Sequence, residues 1–487
     1  MRLLLCCESY YPQRGGVQEV MRQIAERMVK KGHDVTVATS RHPKRKSTVL
    51  NGVKIRDFRA GGKMPYGLHG EIDKYRQFVE EFNADAILLM AAQQWSFDAL
   101  WPVLDKIGAR KVFIPCGFSC LYEPDFADYY RQIPEVLRKF DHLVFNAERY
   151  RDIDFVRALG LTNLTVLPNG VGEQDFDQPR DPNFRRRLGI SEKDFVFLTV
   201  GNPIEAKGHN EVIEAFSRLD TEGRPATLVS VANWPRRYPK FVSRWMTGLR
   251  YAHGVGRRVL EVAQLEGMAG VRQRARRKLL QFMHRNSVQM TGLKVSATEL
   301  KVGATEAAGS ETEVVGVRAP ETLEDRVQKI TAQSHKRVLM MDLTRSDLVQ
   351  AYMAADLFVF ASRIEYSPLV LFEAAAAGTP FLTVPVGNAD EIVRWTGGGM
   401  LCEAAKDDRG YTRVDPQVLS LAMARCMKKR DWLQQLGTTA QGRFRKHFTW
   451  SVVAGYYEAI LCGRNPDVRI EDDGPLVYGL ERASGVT

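Results

Sequence analysis

Short apolar runs alternate with amphipathic stretches along most of the chain. After Arg2, residues 3–7 are apolar, which is typical of a strand buried on both faces of a parallel sheet, here predicted over 2–7. Apolar residues then recur at helical spacing from Val17 to Met28, and residues 34–39 form the next strand-like run. This order predicts a β-α-β unit.

The same alternation continues in two series. The first series predicts strands at 86–90, 111–114, 142–146 and 164–167. The second predicts strands at 195–200, 227–231, 338–341, 357–360 and 380–384, with helices at 210–219, 346–354 and 369–377. Strands that alternate with helices form doubly wound parallel sheets, so the predicted fold class is α/β with two Rossmann-like domains.

Breaks in the pattern give the predicted domain organisation. The turn at Pro168-Asn169-Gly170 and the polar stretch after it end an N-terminal domain over residues 1–178. A second domain follows over 179–445, and the alternation is interrupted in it between about 234 and 335, which indicates an insertion. An aromatic-rich helical segment over 446–463 and a polar tail over 464–487 complete the chain.

Composition indicates a globular protein. The chain has 487 residues, of which 44% are hydrophobic, and no apolar run reaches the ~18 residues that a membrane span needs. The seven cysteines are odd in number and scattered, and Cys116 and Cys120 have no second pair or histidine cluster to complete a zinc site. We therefore expect reduced thiols and a cytoplasmic protein. We also expect the first apolar run to be a buried strand rather than a signal peptide.

The positive charge is concentrated in the insertion. The net charge is +11, and residues 234–287 contain thirteen Lys or Arg against two acids, Glu261 and Glu266. Aromatic and aliphatic residues are interspersed among these cations, a pattern typical of helices that lie on an anionic membrane surface. A solvated helical excursion is the alternative; nucleic acid is not an expected partner, because no nucleic-acid-binding module accompanies the charge.

Two glycine-containing loops follow predicted strands. Gly15 and Gly16 separate the first strand from the first helix, where backbone N–H groups can approach an anion; a plain tight turn is the alternative. Gly201, Asn202 and Lys207 lie between a strand and a helix of the second series, and Lys207 is a candidate phosphate-binding charge or a solvated lysine. Neither loop has the G-x-G-x-x-G pattern of a nicotinamide dinucleotide site.

A third segment places Glu365 and Glu373 eight positions apart around the start of a helix. Pro368 suits the beginning of that helix, so Glu365 falls in the preceding loop and Glu373 about one turn inside. The free N–H groups near Leu369 and Val370, together with the neighbouring Ser367, form a second candidate anion site. A structural carboxylate paired with a lysine is the alternative for Glu373.

Together these segments resemble the retaining glycosyltransferases of family 4, which have the GT-B fold. The resemblance covers residues 1–233 and 336–462. The matching residues are Pro12 with Gly15-Gly16, Gly32-His33-Asp34-Val35, Pro168-Asn169-Gly170-Val171, Gly201 with Lys207-Gly208, the Glu365/Glu373 pair, Ala374 to Pro380, Gly387 with Glu391, and Phe448-Thr449-Trp450. It implies a cleft between the two domains and a last helix that returns to the N-terminal domain.

The resemblance implies transfer of a sugar, of the hexosyl type, from a nucleoside-diphosphate-sugar donor to a carbohydrate or lipid-linked acceptor in polysaccharide or glycoconjugate assembly. Lys207 and the glycine loops would neutralise the diphosphate, Glu373 would bind the ribose, and Glu365 would hold the sugar. No metal and no cofactor are expected, since protein cations and helix dipoles would take that role. The expected location is the cytoplasm, with the basic insertion at the inner face of the cell membrane.

Two departures from the family pattern keep alternatives open. Asn202 stands where the family usually has an arginine, and the stretch 114–119 lacks the histidine of many members, for which Ser119 or a backbone group is a candidate substitute. The alternatives are a nucleotide-sugar-binding scaffold, and a nucleotide-sugar hydrolase or epimerase. The Asp-x-Asp spacings at 152–154 and 175–177 fit a metal-dependent GT-A enzyme, but tandem α/β halves disfavour that fold.

Overall fold

The computed structural model of the protein describes residues 1–13, 15–234, 323–332 and 335–471. The basic part of the insertion, and with it the predicted membrane-binding surface, therefore lies outside the described residues except for its first residue, Trp234. The same holds for the tail from 472 onward.

The first sheet has eight strands in the order β10-β9-β8-β7-β1-β2-β4-β3. All neighbouring pairs are parallel except β3 with β4. Its strands are β1 (Arg2–Cys6), β2 (Asp34–Ser40), β3 (Val49–Leu50), β4 (Val53–Phe58), β7 (Ala86–Met90), β8 (Arg110–Ile114), β9 (His142–Phe145) and β10 (Leu164–Val166), and a separate antiparallel pair is β5 (Ala60–Lys63) with β6 (Gly67–Gly70).

Residues of β1 alternate between two apolar cores. Leu4 and Cys6 pack in one core, and Leu3 and Leu5 in the other, which is the burial on both faces that the apolar run predicted. The helices of this part are α1 (Gly16–Lys30), α2 (Ile72–Glu81), α3 (Trp95–Asp98), α4 (Ala127–Leu137), α5 (Arg151–Ala158) and α6 (Glu173–Phe176), with 3₁₀ turns at Met64–Tyr66, Trp101–Lys106 and Pro124–Phe126.

The second sheet has six parallel strands in the order β13-β12-β11-β14-β15-β16. They are β11 (Phe195–Val200), β12 (Ala226–Val231), β13 (Lys336–Met341), β14 (Leu357–Phe360), β15 (Phe381–Thr383) and β16 (Gly399–Leu401), and β17 (Ala405–Lys406) pairs separately with β18 (Thr412–Arg413). Its helices are α7 (Phe184–Arg187), α8 (His209–Arg218), α9 (Leu323–Thr331), α10 (Arg345–Ala354), α11 (Leu369–Ala377), α12 (Ala389–Thr396), α13 (Pro416–Lys428) and α14 (Arg430–Arg443), with a 3₁₀ turn at Glu205–Lys207.

The aromatic-rich segment near the end is not one continuous helix. A π-helical turn at Phe444–Phe448 ends at Thr449, whose hydroxyl accepts a hydrogen bond from Val452 N at 3.3 Å and caps α15 (Trp450–Leu461). Residues of α15 pack in the same core as β1 and α1. The chain thus returns from the second sheet to the first.

Most predicted strands and helices agree with the structure within about two residues at each end. Several regular elements between residues 49 and 443 were not predicted, among them the short strands β3 to β6 and β16 to β18, the helices α9 and α12, and the helix pair α13–α14. All seven cysteines are free. No helix in the described ranges is both long enough and apolar enough to cross a membrane.

Candidate functional site

The loops that follow the strands of the two sheets meet in a cleft. Gly16, at the start of α1, lies so close to α11 that a Cβ built on it would be 4.0 Å from Leu369 Cδ1. Gly117, after β8, packs against the ring of Tyr366, to which a Cβ at Gly117 would come within 3.0 Å. The carboxyl ends of both sheets therefore face each other, which is where open α/β sheets bind ligands.

Lys207 and Glu365 form an ion pair in this cleft. Lys207 Nζ lies 2.5 Å from Glu365 Oε1, and the side chains are 25% and 15% exposed. Ser362 Oγ donates a second hydrogen bond to the same carboxylate oxygen at 2.9 Å. The carboxylate is thus fixed from two sides, and the ammonium group remains accessible.

The turn that carries Lys207 is held by backbone contacts. Gly208 has φ +73°, and a Cβ there would come within 2.0 Å of Ala361 O, so the turn requires glycine. Ala206 O accepts a hydrogen bond from Arg363 N at 2.8 Å, and Ser362 Oγ lies 3.0 Å from the same oxygen. Lys207 therefore projects from a turn anchored to the loop that leads to Glu365.

Gly201 and Asn202 precede that turn. A Cβ at Gly201 would lie 3.3 Å from Nε2 of His209, a buried residue that the sequence did not single out. Burial lowers the pKa of His209, so it is neutral at pH 7, and its Nδ1 lies 3.1 Å from Ser230 Oγ. Asn202 is exposed, and in the described part of the chain its side chain makes no hydrogen bond.

Glu373 binds two residues that sequence reasoning missed. Its Oε1 lies 2.5 Å from Arg345 Nη1, and its Oε2 accepts a hydrogen bond from Tyr352 OH at 3.3 Å. Arg345 also contacts Asp175 Oδ2 at 2.9 Å, and its guanidinium lies 5.7 Å from the centre of the Phe176 ring. The only available signal for Arg345 was its position immediately before a predicted helix.

The start of α11 presents unsatisfied polar groups. Because the helix begins at Leu369, the N–H groups of Leu369 and Val370 have no acceptor within it. Asn169 Nδ2 donates to Ser367 O at 3.1 Å. Asn169 Oδ1 and Ser367 Oγ are buried and have no hydrogen-bond partner among the described residues.

Tyr366 joins the two halves of the molecule next to Glu365. Its hydroxyl accepts a hydrogen bond from Asn146 N at 2.9 Å, and its ring lies 4.9 Å from that of Tyr150. Tyr150 OH in turn donates to Glu365 O at 2.8 Å. The position of Glu365 therefore depends on residues of the first domain.

Glu391 forms a second connection between the halves. Its two oxygens accept hydrogen bonds from the backbone N–H groups of Glu148 and Arg149, both at 2.8 Å. Burial raises the pKa of Glu391 to about 7, although these two donors oppose the shift. Asn388, on the preceding turn, donates through Nδ2 to Asn146 O at 2.7 Å.

The two Asp-x-Asp spacings have other partners. Asp152 is buried and accepts hydrogen bonds from Gly117 N at 2.8 Å and Ile153 N at 2.9 Å, and burial raises its pKa to about 6. Asp175 pairs with Arg345. In the ranges that the structure describes, no group of three or more His, Cys, Asp or Glu side chains is arranged to hold a metal ion.

Comparison with protein families covers both halves. Residues 14–174 match the model described as Glycosyltransferase Family 4, and residues 278–414 match the model described as Glycosyl transferases group 1. The chain belongs to glycosyltransferase family 4 and has the GT-B fold. The resemblance expected from the sequence is therefore confirmed, and so is the expected pair of parallel-sheet domains.

Solved structures similar to this glycosyltransferase support the same fold. Sucrose-phosphate synthase from Thermosynechococcus elongatus is 15% identical to this chain, with a TM-score of 0.59. The alignment covers 95% of this chain and 98% of that chain. HepE from Anabaena in complex with UDP has the same identity and TM-score, and the alignment covers 95% of this chain and 100% of HepE. A glycosyltransferase from Rickettsia africae is 13% identical, with a TM-score of 0.60, and the alignment covers 95% of this chain and 98% of that chain. No curated protein gives a significant match.

Proposed function

We propose that this glycosyltransferase transfers a sugar from a nucleoside-diphosphate sugar to a carbohydrate or lipid-linked acceptor with retention of the anomeric configuration. The observation that carries the proposal is the Lys207–Glu365 ion pair, which lies in the cleft opposite the Gly16 loop. HepE, one of the similar structures, is described in complex with UDP and with UDP-glucose, which supports a donor of this class.

The proposed diphosphate site combines one side-chain cation with backbone donors. Lys207 provides the charge, and the N–H groups of Leu369 and Val370 provide donors at a helix N-terminus, where the helix dipole favours an anion. Gly15 and Gly16 allow the opposite loop to approach without side chains. Because Asn202 brings no charge, we propose that Lys207 carries most of the phosphate neutralisation.

Glu373 is the proposed ribose ligand. A carboxylate has about four lone-pair positions, and the contacts with Arg345 and Tyr352 use two of them. The remaining positions are available for two ribose hydroxyls. Arg345 then acts as a positioning residue that holds the carboxylate in place.

In the proposed reaction, the bond between the anomeric carbon and the phosphate oxygen breaks, and a bond from that carbon to the acceptor oxygen forms on the same face. The acceptor hydroxyl gives its proton to the departing phosphate oxygen. Lys207 stabilises the negative charge that develops on the diphosphate. Glu365 is proposed to hold the sugar hydroxyls, as its fixed orientation suits an acceptor of hydrogen bonds rather than a nucleophile.

The proposed setting is polysaccharide or glycoconjugate assembly at the cytoplasmic side of the cell membrane. A similar structure, WaaG, is described as a glycosyltransferase involved in lipopolysaccharide biosynthesis. The basic sequence over 234–287 supports attachment to anionic lipids. Flotation with anionic liposomes tests this, and equal flotation of the full chain and of a chain lacking 234–335 would contradict it.

A thermal shift experiment with UDP, GDP, ADP and dTDP tests the donor site. A nucleotide at one hundred times its dissociation constant stabilises the folded protein by about 2.7 kcal/mol. For domains of this size, this raises the melting temperature by about 5–10 °C. We expect one nucleotide to give this shift, and we expect Glu373→Ala to reduce it. An absence of any shift, with nucleotides or with intact nucleotide sugars, would contradict the proposal.

Turnover of the matching nucleotide sugar tests the reaction. Transfer to an acceptor with retention, unchanged after treatment with EDTA, is the expected outcome because protein groups provide the phosphate neutralisation. Loss of activity with EDTA would contradict the proposed metal independence. Release of free sugar at the same rate with and without acceptors would instead identify a hydrolase.

A further inference from the structure

The wall of the cleft opposite Glu365 has an unusual backbone. Four residues other than glycine have positive φ angles directly after two adjacent strands: Ala91 (69°) and Gln93 (63°) follow β7, and Cys116 (60°) and Phe118 (44°) follow β8. Such conformations are unfavourable for L-residues and persist where the surroundings enforce them, commonly at functional sites. The same loops present polar groups to the cleft.

Gln93 orients the hydroxyl of Ser119. Gln93 is buried, and its Oε1 accepts a hydrogen bond from Ser119 Oγ at 2.9 Å, while its Nε2 donates to Tyr130 OH. The backbone N–H of Gln93 donates to Tyr129 OH at 3.0 Å. Since the proton of Ser119 points inward to Gln93, the hydroxyl oxygen of this exposed residue is left as an acceptor for a ligand.

Arg151 lies beside Ser119, and its hydrogen bonds within the described part of the chain are to neutral groups. Its Nη2 donates to Tyr150 OH at 2.9 Å and its Nη1 to Ser119 O at 3.5 Å, and the guanidinium lies 5.1 Å from the centre of the Tyr150 ring. A guanidinium has five N–H donors, so three remain. Among the described residues, no carboxylate pairs with Arg151.

This distinguishes Arg151 from the other cations of the cleft. Lys207 is paired with Glu365, and Arg345 with Glu373 and Asp175. Arg151 is also the first residue of α5, where the positive end of the helix dipole opposes a cation. Helix stability therefore does not explain an arginine at this position. An anion bound there would be stabilised by the guanidinium and the helix end, against the opposing carboxylates of Asp152 and Asp154 in the same turn.

Two hydrogen bonds connect Arg151 to the loop that is proposed to hold the donor sugar. Arg151 binds Tyr150 OH, and Tyr150 OH donates to Glu365 O at 2.8 Å across the domain boundary. Arg151 thus lies on the acceptor side of the cleft, close to the proposed position of sugar transfer.

We infer that Arg151, held by Tyr150 and Ser119, binds an oxyanion carried by the acceptor, so that the enzyme selects acceptors with a phosphate or carboxylate group near the reacting hydroxyl. The inference rests on the proposed function. An oxyanion fits the remaining N–H donors of a planar guanidinium, which bind phosphate and carboxylate with two parallel hydrogen bonds. Ser119 Oγ would accept a hydroxyl of the same ligand.

Isothermal titration of the full-length protein, saturated with the nucleoside diphosphate that it binds, tests this. The probes are glucose 6-phosphate and glucuronate as sugar anions, decyl phosphate as a lipid-like phosphate, and glucose as the neutral reference. We expect at least one anion to bind about tenfold or more tightly than glucose, and Arg151→Gln to remove that advantage. Arg151→Lys should keep part of it, because it retains the charge and loses the planar fork.

Arg131→Gln is the matched control, since Arg131 forms an exposed ion pair with Asp128 on α4 and carries the same charge. It should bind every probe as the unaltered protein does. The nucleotide affinity of each variant shows whether the protein is folded and the donor site intact. Anion binding that is unchanged in Arg151→Gln, or no preference for any anion over glucose, would overturn the inference. Failure of every nucleotide to bind would contradict the proposed function instead.

Discussion

Lys207 Nζ lies 2.5 Å from Glu365 Oε1, although 158 positions separate the two residues in the chain. The pair is brought together because the turn after β11 is anchored by hydrogen bonds to the segment after β14. Its partial exposure leaves the ammonium group available to a phosphate while Glu365 remains oriented.

Lys207→Ala should lower the turnover of the nucleotide sugar by about 100- to 1,000-fold, the range found when one preorganised group that stabilises transition-state charge is removed. Steady-state kinetics with the donor identified by thermal shift measure this. Lys207→Arg, which keeps the charge, should retain more activity than Lys207→Ala. Equal activity of Lys207→Ala and the unaltered enzyme would show that another cation neutralises the diphosphate.

Gly117→Ala should destabilise the protein and lower its activity. The position has φ +91°, and a Cβ would come within 3.0 Å of Tyr366 and 3.1 Å of Tyr150, so the alanine must displace the rings that support Glu365. Gly160→Ala is the matched control, because Gly160 has φ +72° and nothing within 4 Å. In denaturant unfolding, we expect Gly117→Ala to lower the free energy of unfolding by about 1–3 kcal/mol more than Gly160→Ala does. Equal losses would mean that the tyrosines move freely.

Glu391→Ala should loosen the contact between the domains. It leaves the backbone N–H groups of Glu148 and Arg149 without their acceptor, at a cost of about 1–3 kcal/mol for each group that stays buried. Hydrogen exchange should show faster exchange at these two amides. Asp390→Ala, on the same helix, is the control, and comparable exchange in both variants would contradict the role assigned to Glu391.

The buried Asp98 should make stability depend on pH. It accepts hydrogen bonds from Tyr129 OH at 2.8 Å and Met64 N at 3.0 Å, yet burial raises its pKa to about 6, from 3.8 in the unfolded chain. Between these values the folded state binds more protons than the unfolded state. The contribution of Asp98 to stability therefore falls as the pH rises through this interval, and the loss is complete above about pH 6.

Asp98→Asn removes this titration. The free energy of unfolding of the unaltered protein, relative to that of Asp98→Asn, should fall by about 2–3 kcal/mol between about pH 4 and pH 7. Urea unfolding at both pH values measures the difference. A constant difference between the two proteins would show that Asp98 keeps an ordinary pKa.

The sequence determined the parts of this protein that depend on neighbours in the chain. Apolar runs such as that of β1 are strands because both faces are buried, and this pattern is visible without the fold. The loop position of Glu365 and the helical position of Glu373 followed from Pro368 alone. Short strands with few apolar residues, such as β5 (Ala60–Lys63), carry too weak a pattern and were missed.

Only the tertiary structure decided which side chains meet. Arg345 binds Glu373, Tyr366 binds the backbone of Asn146, and Tyr150 binds the backbone of Glu365, and no pattern in the sequence indicated these contacts. Each contact joins loops from different strands or different domains, and its partners are set by how two sheets pack. Spacing along the chain carries no information about that packing, because loop closure brings together residues at any separation.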